Sequence, residues 1–160
     1  MDAVALSEER AGDVAPVSTV NRMAVAVLAL IGVLISVYMS AYTFGVLGDI
    51  ACGDGGCQIV QNSPWARFMG VPVPVIGLAG YSMLLAAAML GVQPAFARSR
   101  AVPLVLAGGA SIGLLFSAYL TYLEAFVIHA WCRWCIGSAI LALLIFACVV
   151  PEFRRMRRSE

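Results

Sequence analysis

Four cysteines stand in two pairs whose type and spacing could carry thiol–disulfide chemistry. Cys132-Arg133-Trp134-Cys135 is a C-x-x-C at the head of an apolar run, where a helix is expected to begin. A separation of three residues puts both sulfurs on one helix face, close enough to bond. The free N–H groups and dipole of a first helical turn favour thiolate over thiol, and Arg133 adds positive potential. A low thiolate pKa makes such a pair a good leaving group and a good electron donor. The same residues could instead form a static disulfide, or half of a four-cysteine zinc site completed by Cys52 and Cys57.

Cys52 and Cys57 enclose Gly53, Gly55 and Gly56. Three glycines give an open backbone, suited to a disulfide that is reached from outside and then swings inward. Closing so short a loop adds little stability, although a plain loop staple is the alternative. The fifth cysteine, Cys148, has no partner in sequence and is expected to be a small buried hydrophobe.

The elements that must position these sulfurs are apolar helices. Of 160 residues, 62% are hydrophobic and only 12% charged, about half the usual share of charge. A soluble domain of this size cannot hide so much apolar surface. The net charge of +1 gives no reason to invoke nucleic acid. Spans of roughly 20 apolar residues are expected at Met23–Phe44, Val71–Leu90, Val102–Ile128 and Cys132–Val150, the last ending at Pro151. The fold class is thus an all-α integral membrane bundle of four helices, with a long loop between the first two. Residues 1–21 form a polar tail with no signal-peptide pattern, 22–150 the bundle, and 151–160 a basic tail.

The arginines orient the chain. Arg10, Arg22, Arg98, Arg100, Arg154, Arg155, Arg157 and Arg158 fall on one side, and Arg67 and Arg133 on the other. The positive-inside bias then puts both termini in the cytoplasm. Two complete spans separate the cysteine pairs, so both lie on one face, and that face is the oxidising one. A second pair beside the C-x-x-C favours redox chemistry over the static readings.

At these residues the chain resembles the vitamin K epoxide reductase family, in particular its bacterial four-span branch. The likeness runs from about Arg22 to Val150. It includes Ser36-Val37-Tyr38, the loop cysteines, the run from Cys57 to Trp65 with Ser63, Gly70, Gly77 with Tyr81, Tyr119-Leu120 and the final C-x-x-C. The order, with the loop pair first and the C-x-x-C last, sets it apart from DsbB-type oxidases. The resemblance implies a bundle enclosing a quinone, ubiquinone or menaquinone, beside the C-x-x-C. It implies that Cys52 exchanges with a partner thiol, Cys57 with Cys132, and that Cys135 hands electrons to the quinone. Ser63 matches a serine that helps hold the loop over the site, and Trp65 and Leu120 match positions lining the pocket. Where the animal enzymes place a tyrosine and an asparagine against the substrate, this chain has Ala139 and the segment Pro72-Val73-Pro74-Val75-Ile76.

The function expected is a quinone-dependent thiol oxidase of the bacterial inner membrane. It reoxidises a separate periplasmic DsbA-like thioredoxin-fold partner and passes two electrons to the quinone pool, and a monomer is expected. A reductase working in the opposite sense, and a non-enzymatic zinc module, are the alternatives. Glu124, the one acidic residue well inside a span, could protonate the quinol or make a polar contact near the outer interface. His129 is expected at the surface. Gly109 and Gly113 form a G-x-x-x-G expected to pack helices within the bundle, and the terminal arginines are expected to meet lipid headgroups.

Overall fold

The computed structural model describes residues 15–53, 55–96, 99 and 101–158. Four long helices cross the molecule: α1 (Ala15–Thr43), α3 (Val73–Val92), α4 (Ala101–Leu123) and α5 (Arg133–Arg158). Within them Thr19–Thr43, Val73–Val92, Ala101–Ile128 and Arg133–Arg154 are long and apolar enough to cross a membrane. Helices are the form such segments must take, because lipid offers no partner for free backbone groups. Large apolar side chains such as Leu34, Ile112, Leu115 and Leu143 remain exposed on the bundle's outside, where lipid would meet them.

Between the first two spans, the loop is more ordered than its glycines suggested. A short helix, α2 (Gly56–Gln61), leads through a tight turn at Pro64–Ala66 into the hairpin β1 (Arg67–Phe68) and β2 (Val71–Pro72). Met69 and Gly70 join the two strands with φ of 52° and 85°, the pair of positive angles that a tight hairpin turn requires. Phe68 then lies edge-on to Phe116 of α4, ring centroids 5.6 Å apart.

The interior divides into two apolar clusters. One, toward the end where α1 begins and α5 finishes, joins Val25, Ala29, Tyr81, Leu84, Ala88, Leu106, Ile145 and Val149. The other, at the cysteine end, joins Met39, Ile50, Cys52, Cys57, Val60 and Cys132. Small residues allow close approach in the first: a Cβ on Gly32 would meet the Tyr81 ring. The G-x-x-x-G of α4 packs only in part. A Cβ on Gly109 would crowd Met83 and Leu84, whereas one on Gly113 would meet nothing within 4 Å.

Two helix boundaries differ from expectation, and the third span reaches Ile128 as expected but in a different final turn. α1 begins at Ala15, inside the stretch expected to be an irregular tail, with Pro16 in the first turn where proline is tolerated. α4 ends in a wider π-helical turn, Glu124–Ile128. α5 does not stop at Pro151 but continues to Arg158. The missing proline N–H weakens the helix there, but the next residue is anchored. Glu152 accepts from Arg22 Nε at 2.8 Å and is paired with the same guanidinium through Nη2. Arg22 also donates to the Gly91 carbonyl, one of the acceptors left open at the end of α3. Three helices are thus tied at one buried point. Arg10, Arg98 and Arg100, and residues 1–14 of the expected N-terminal tail, lie outside the described residues.

Breaking this tie by Glu152→Ala should destabilise the protein by about 3 kcal/mol, because it strands a buried guanidinium. Thermal unfolding in detergent should show a lower midpoint. The double variant Arg22→Met, Glu152→Leu should recover much of the loss, since no charge is then left without its partner.

Candidate functional site

All four paired cysteines meet at one end of the bundle. Cys52 and Cys57 are joined as a disulfide, Cα atoms 5.9 Å apart. Cys132 and Cys135 are free thiols. Gly53 and Gly55 have φ of 70° and 71°, so these two glycines turn the chain between the cysteines. Gly56 serves differently: a Cβ there would collide with the Trp131 carbonyl. The third glycine therefore lets α2 rest directly on the backbone that leads into Cys132. Cys57 and Cys132, each following one of these touching residues, are both fully buried in the same cluster.

The loop disulfide is not open to solvent, contrary to the expectation of an accessible pair. Cys52 is 2% exposed. The strand before it is strapped down at Ala51, whose N–H donates to the Tyr38 hydroxyl at 3.1 Å and whose carbonyl accepts from Trp134 Nε1 at 3.2 Å. The Tyr38 and Trp134 rings lie against each other, centroids 4.9 Å apart. Gln58 adds a second hold, donating to Asp49 Oδ1 at 2.9 Å. Trp134, inside the C-x-x-C, thus touches the strap over the other pair.

Glu124 reaches the membrane pair from α4. The π-helical turn begins at this residue, and its carboxylate accepts the Cys132 N–H at 3.1 Å. It is 4% exposed and also within hydrogen-bonding reach of the Cys135 thiol. The contact to the neighbouring helix weighed from sequence is therefore present, and it falls on the reactive pair. The Cys135 thiol, donating to Cys132 Sγ, holds the Cys132 thiol below the ordinary cysteine value. This outweighs burial and the nearby Glu124 carboxylate, which oppose it. The Cys135 N–H points at the same sulfur, at 3.4 Å.

Between the two clusters lies a cavity of about 340 Å³. Its walls are largely apolar, from Ile35, Met39, Leu84, Phe116 and Leu120 among others, with Cys135 and Glu124 at one side. A smaller hollow of about 30 Å³ gathers Ser63, Trp65, Leu120, Glu124 and Cys135. The residues singled out from sequence are therefore neighbours, although Ser63 and Trp65 line only the smaller space. Ser63 Oγ donates to the Val60 carbonyl at 2.7 Å and closes the end of α2. Trp65 is about half exposed.

Ser36, Tyr81 and Ser138 also line the large cavity, and sequence reasoning gave none of them a role. A lone serine in an apolar run is too common to single out; only the packing shows where it faces. Cys148 is half-buried against the inner cluster. His129 takes φ of 56° and ends the π-helical turn. Two of the four sulfurs a zinc site would need are bonded to each other, and no group of three candidate ligands exists among the described residues.

Two outcomes follow from this geometry. Gly56→Ala should push α2 off Trp131 and slow disulfide formation between Cys57 and Cys132 by roughly tenfold or more, measured in a Cys52→Ser, Cys135→Ser background. Cys135→Ala should raise the Cys132 titration midpoint, because the thiolate loses its donor. Ultraviolet thiolate absorbance, with Cys52, Cys57 and Cys148 changed to serine, reads that shift.

Residues 23–150 match the Vitamin K epoxide reductase family. The match takes in both cysteine pairs and most of each long helix, and the chain belongs to that family.

Proposed function

We propose that this member of an oxidoreductase family is a quinone-dependent thiol oxidase. One observation carries the reading: a buried disulfide, a dithiol whose Cys132 is buried, and an apolar cavity bordered by Cys135 stand in series. Electrons entering at Cys52–Cys57 have a route through Cys132–Cys135, and Cys135 borders the cavity.

The cavity suits a flat, lipid-soluble ring. Its volume lies within the range of small-molecule sites, and its largely apolar walls carry a few polar groups. Cys135, Leu120 and Glu124 would hold a quinone ring, with Ser63 and Trp65 closing the adjoining hollow. A bound quinone supplies the acceptor for two electrons and two protons.

The protein's own steps are thiol–disulfide exchanges. A partner thiolate attacks Cys52 Sγ and releases the Cys57 thiolate, and the partner's second thiol then displaces Cys52 to complete its own disulfide. Because Cys52 is covered, the strap at Ala51 must first lift from Tyr38 and Trp134. The Cys57 thiolate attacks Cys132 Sγ of the oxidised membrane pair and releases the Cys135 thiolate. Cys52 then attacks Cys57, restoring the loop disulfide and freeing Cys132. This leaves the loop pair oxidised and the membrane pair reduced, the same combination found in the structure. Cys132 and Cys135 re-form their disulfide as two electrons leave. Glu124, bonded to the Cys132 N–H and near the Cys135 thiol, stands where it can take the thiol proton.

The partner chemistry is that of a DsbA-like thioredoxin-fold dithiol. The arginine distribution supports a bacterial inner-membrane location, with both termini cytoplasmic and the cysteines outside. The 22–150 core carries these functions, with the flanking segments serving as anchors. Oxidation of partners, rather than reduction of an epoxide, is the direction favoured by placement on the oxidising face.

Anaerobic mixing of the purified protein with a reduced thioredoxin-fold dithiol and ubiquinone or menaquinone should produce quinol and oxidised partner in equal amounts. Cys135→Ser should abolish quinol formation, and Cys57→Ser should abolish transfer between the pairs. Quinol formation by a variant lacking all four cysteines would overturn the reading.

A further inference from the structure

The cavity holds a hydroxyl with nothing to bond. Ser36, in the middle of α1, is 5% exposed and lines the cavity, yet its Oγ has no hydrogen-bond partner among the described residues. Serines on transmembrane helices commonly donate back to the carbonyl four residues earlier. Ser111 does so here, to Ala107 at 2.7 Å, and Thr121 does so to Ser117 at 2.9 Å. Ser36 departs from that pattern, as does the buried Ser40 one turn further on and outside the cavity lining, in a region where an unmade hydrogen bond is costly.

A second hydroxyl on another wall is only loosely committed. Tyr81 has one proton, and it goes to the Ser138 carbonyl at 2.7 Å. The Ser138 Oγ lies 2.9 Å from the Tyr81 oxygen, so the proton on that contact comes from Ser138. That hydroxyl can rotate and donate into the cavity instead, while the Tyr81 bond to the carbonyl stays in place. Tyr81 is itself fixed, its ring filling the space beside Gly32.

Helix register puts the two hydroxyls near the reactive sulfur. Gly32 of α1 lies against Tyr81, and Ser36 lies against Gly77, whose Cβ would fall 3.1 Å from the serine oxygen. The two helices run in opposite directions, so the Ser36 and Gly77 level is one turn nearer the cysteine end than the Gly32 and Tyr81 level. Tyr81 reaches Ser138, and Cys135 lies one turn from Ser138, again toward the cysteine end. Ser36 is therefore at the depth of Cys135 to within about a turn, roughly 5 Å.

We propose that Ser36 and Ser138 are the hydrogen-bond donors that orient a quinone ring beside Cys135, each taking a ring oxygen. The inference rests on the quinone reading above and assigns the carbonyl contacts within it. Ala139 and the segment Pro72–Ile76 bring no side-chain donor to this space; Thr121 and Gln61, also on its walls, donate to the Ser117 carbonyl and Met39 Sδ, and the Ser117 hydroxyl is a further donor on α4. Ser36 and Ser138 are both positioning residues. Tyr81 keeps Ser138 in place without touching the ring.

The test uses menadione carrying ¹³C at its ring carbonyls, bound to the fully oxidised, full-length protein in detergent. Isotope-edited infrared spectra should show both carbonyl bands moved to lower frequency than in an apolar solvent. Ser36→Ala and Ser138→Ala should each return one band toward its free position and weaken menadione binding roughly 3- to 10-fold. Ser36→Thr and Ser138→Thr, which keep the hydroxyl, should restore the shifted bands. If menadione binds and is reduced by the dithiol form while both alanine variants leave the bands unchanged, this assignment is overturned and the quinone reading stands. If menadione neither binds nor is reduced, the quinone reading falls and this assignment falls with it.

Discussion

Sulfur must touch sulfur for electrons to pass by exchange, and that requirement governs the whole cysteine end. Attack proceeds in line on a disulfide sulfur, so a loop pair held even one side chain away from the membrane pair is cut off from it. The contact between Gly56 and the Trp131 carbonyl removes that distance. Much of the rest serves it. The hairpin and Ser63 fix where α2 ends, and the π-helical turn of α4 brings Glu124 to the N–H of Cys132. The clamp of Arg22, Gly91 and Glu152 holds the opposite end of the bundle closed. A rigid far end keeps the spread of the helices at the cysteine end from drifting.

The same geometry creates a tension between transfer and access. Burying Cys52 and Cys57 excludes water from the exchange, but it also hides Cys52 from any partner. The strap at Ala51 meets both demands because its two hydrogen bonds are few and separable. They come from Tyr38 on α1 and Trp134 inside the C-x-x-C. Each neutral bond of this kind contributes on the order of 1 kcal/mol, so a partner binding with ordinary affinity can lift the strap. Tyr38 accepts and Trp134 donates, and Trp134 sits between Cys132 and Cys135, so the strap is tied directly to the membrane pair.

How much of this could be read beforehand depends on the range of the interaction concerned. Four spans follow from hydropathy, because lipid imposes one solution on a long apolar run. That both cysteine pairs share a face follows from counting spans. The role of Gly56 did not follow: glycine suits a flexible turn and a close contact equally, and only the position of Trp131 separates them. Pro151 marked a helix end by local rules, but Glu152 is paired with a residue 130 positions away. Ser63, Trp65 and Leu120 were legible only through the family resemblance and Glu124 only as an acidic residue inside a span, and neither signal says anything of the two hollows they line. Ser36 was legible only as part of the matched Ser36-Val37-Tyr38, with no role attached, and Ser138 carried no signal at all.

The polar groups inside this bundle follow one economy of placement. Arg22 and Glu152 neutralise each other at one end, Glu124 is bonded to a helix N-terminus at the other, and Tyr81 is satisfied by a backbone carbonyl. A low-dielectric interior penalises each unpaired group. Ser36, like the buried Ser40 one turn on, is an exception to this pairing, but Ser36 alone of the two lines the cavity. Its helix offers the means to pair it, since a serine can always turn back to the preceding turn's carbonyl. Leaving that hydroxyl open, on a cavity wall at the depth of Cys135, costs stability that nothing in the bundle's own packing returns. A ligand oxygen would return it. The unpaired serine thus belongs with the open cavity and the reactive thiol as parts of one binding site.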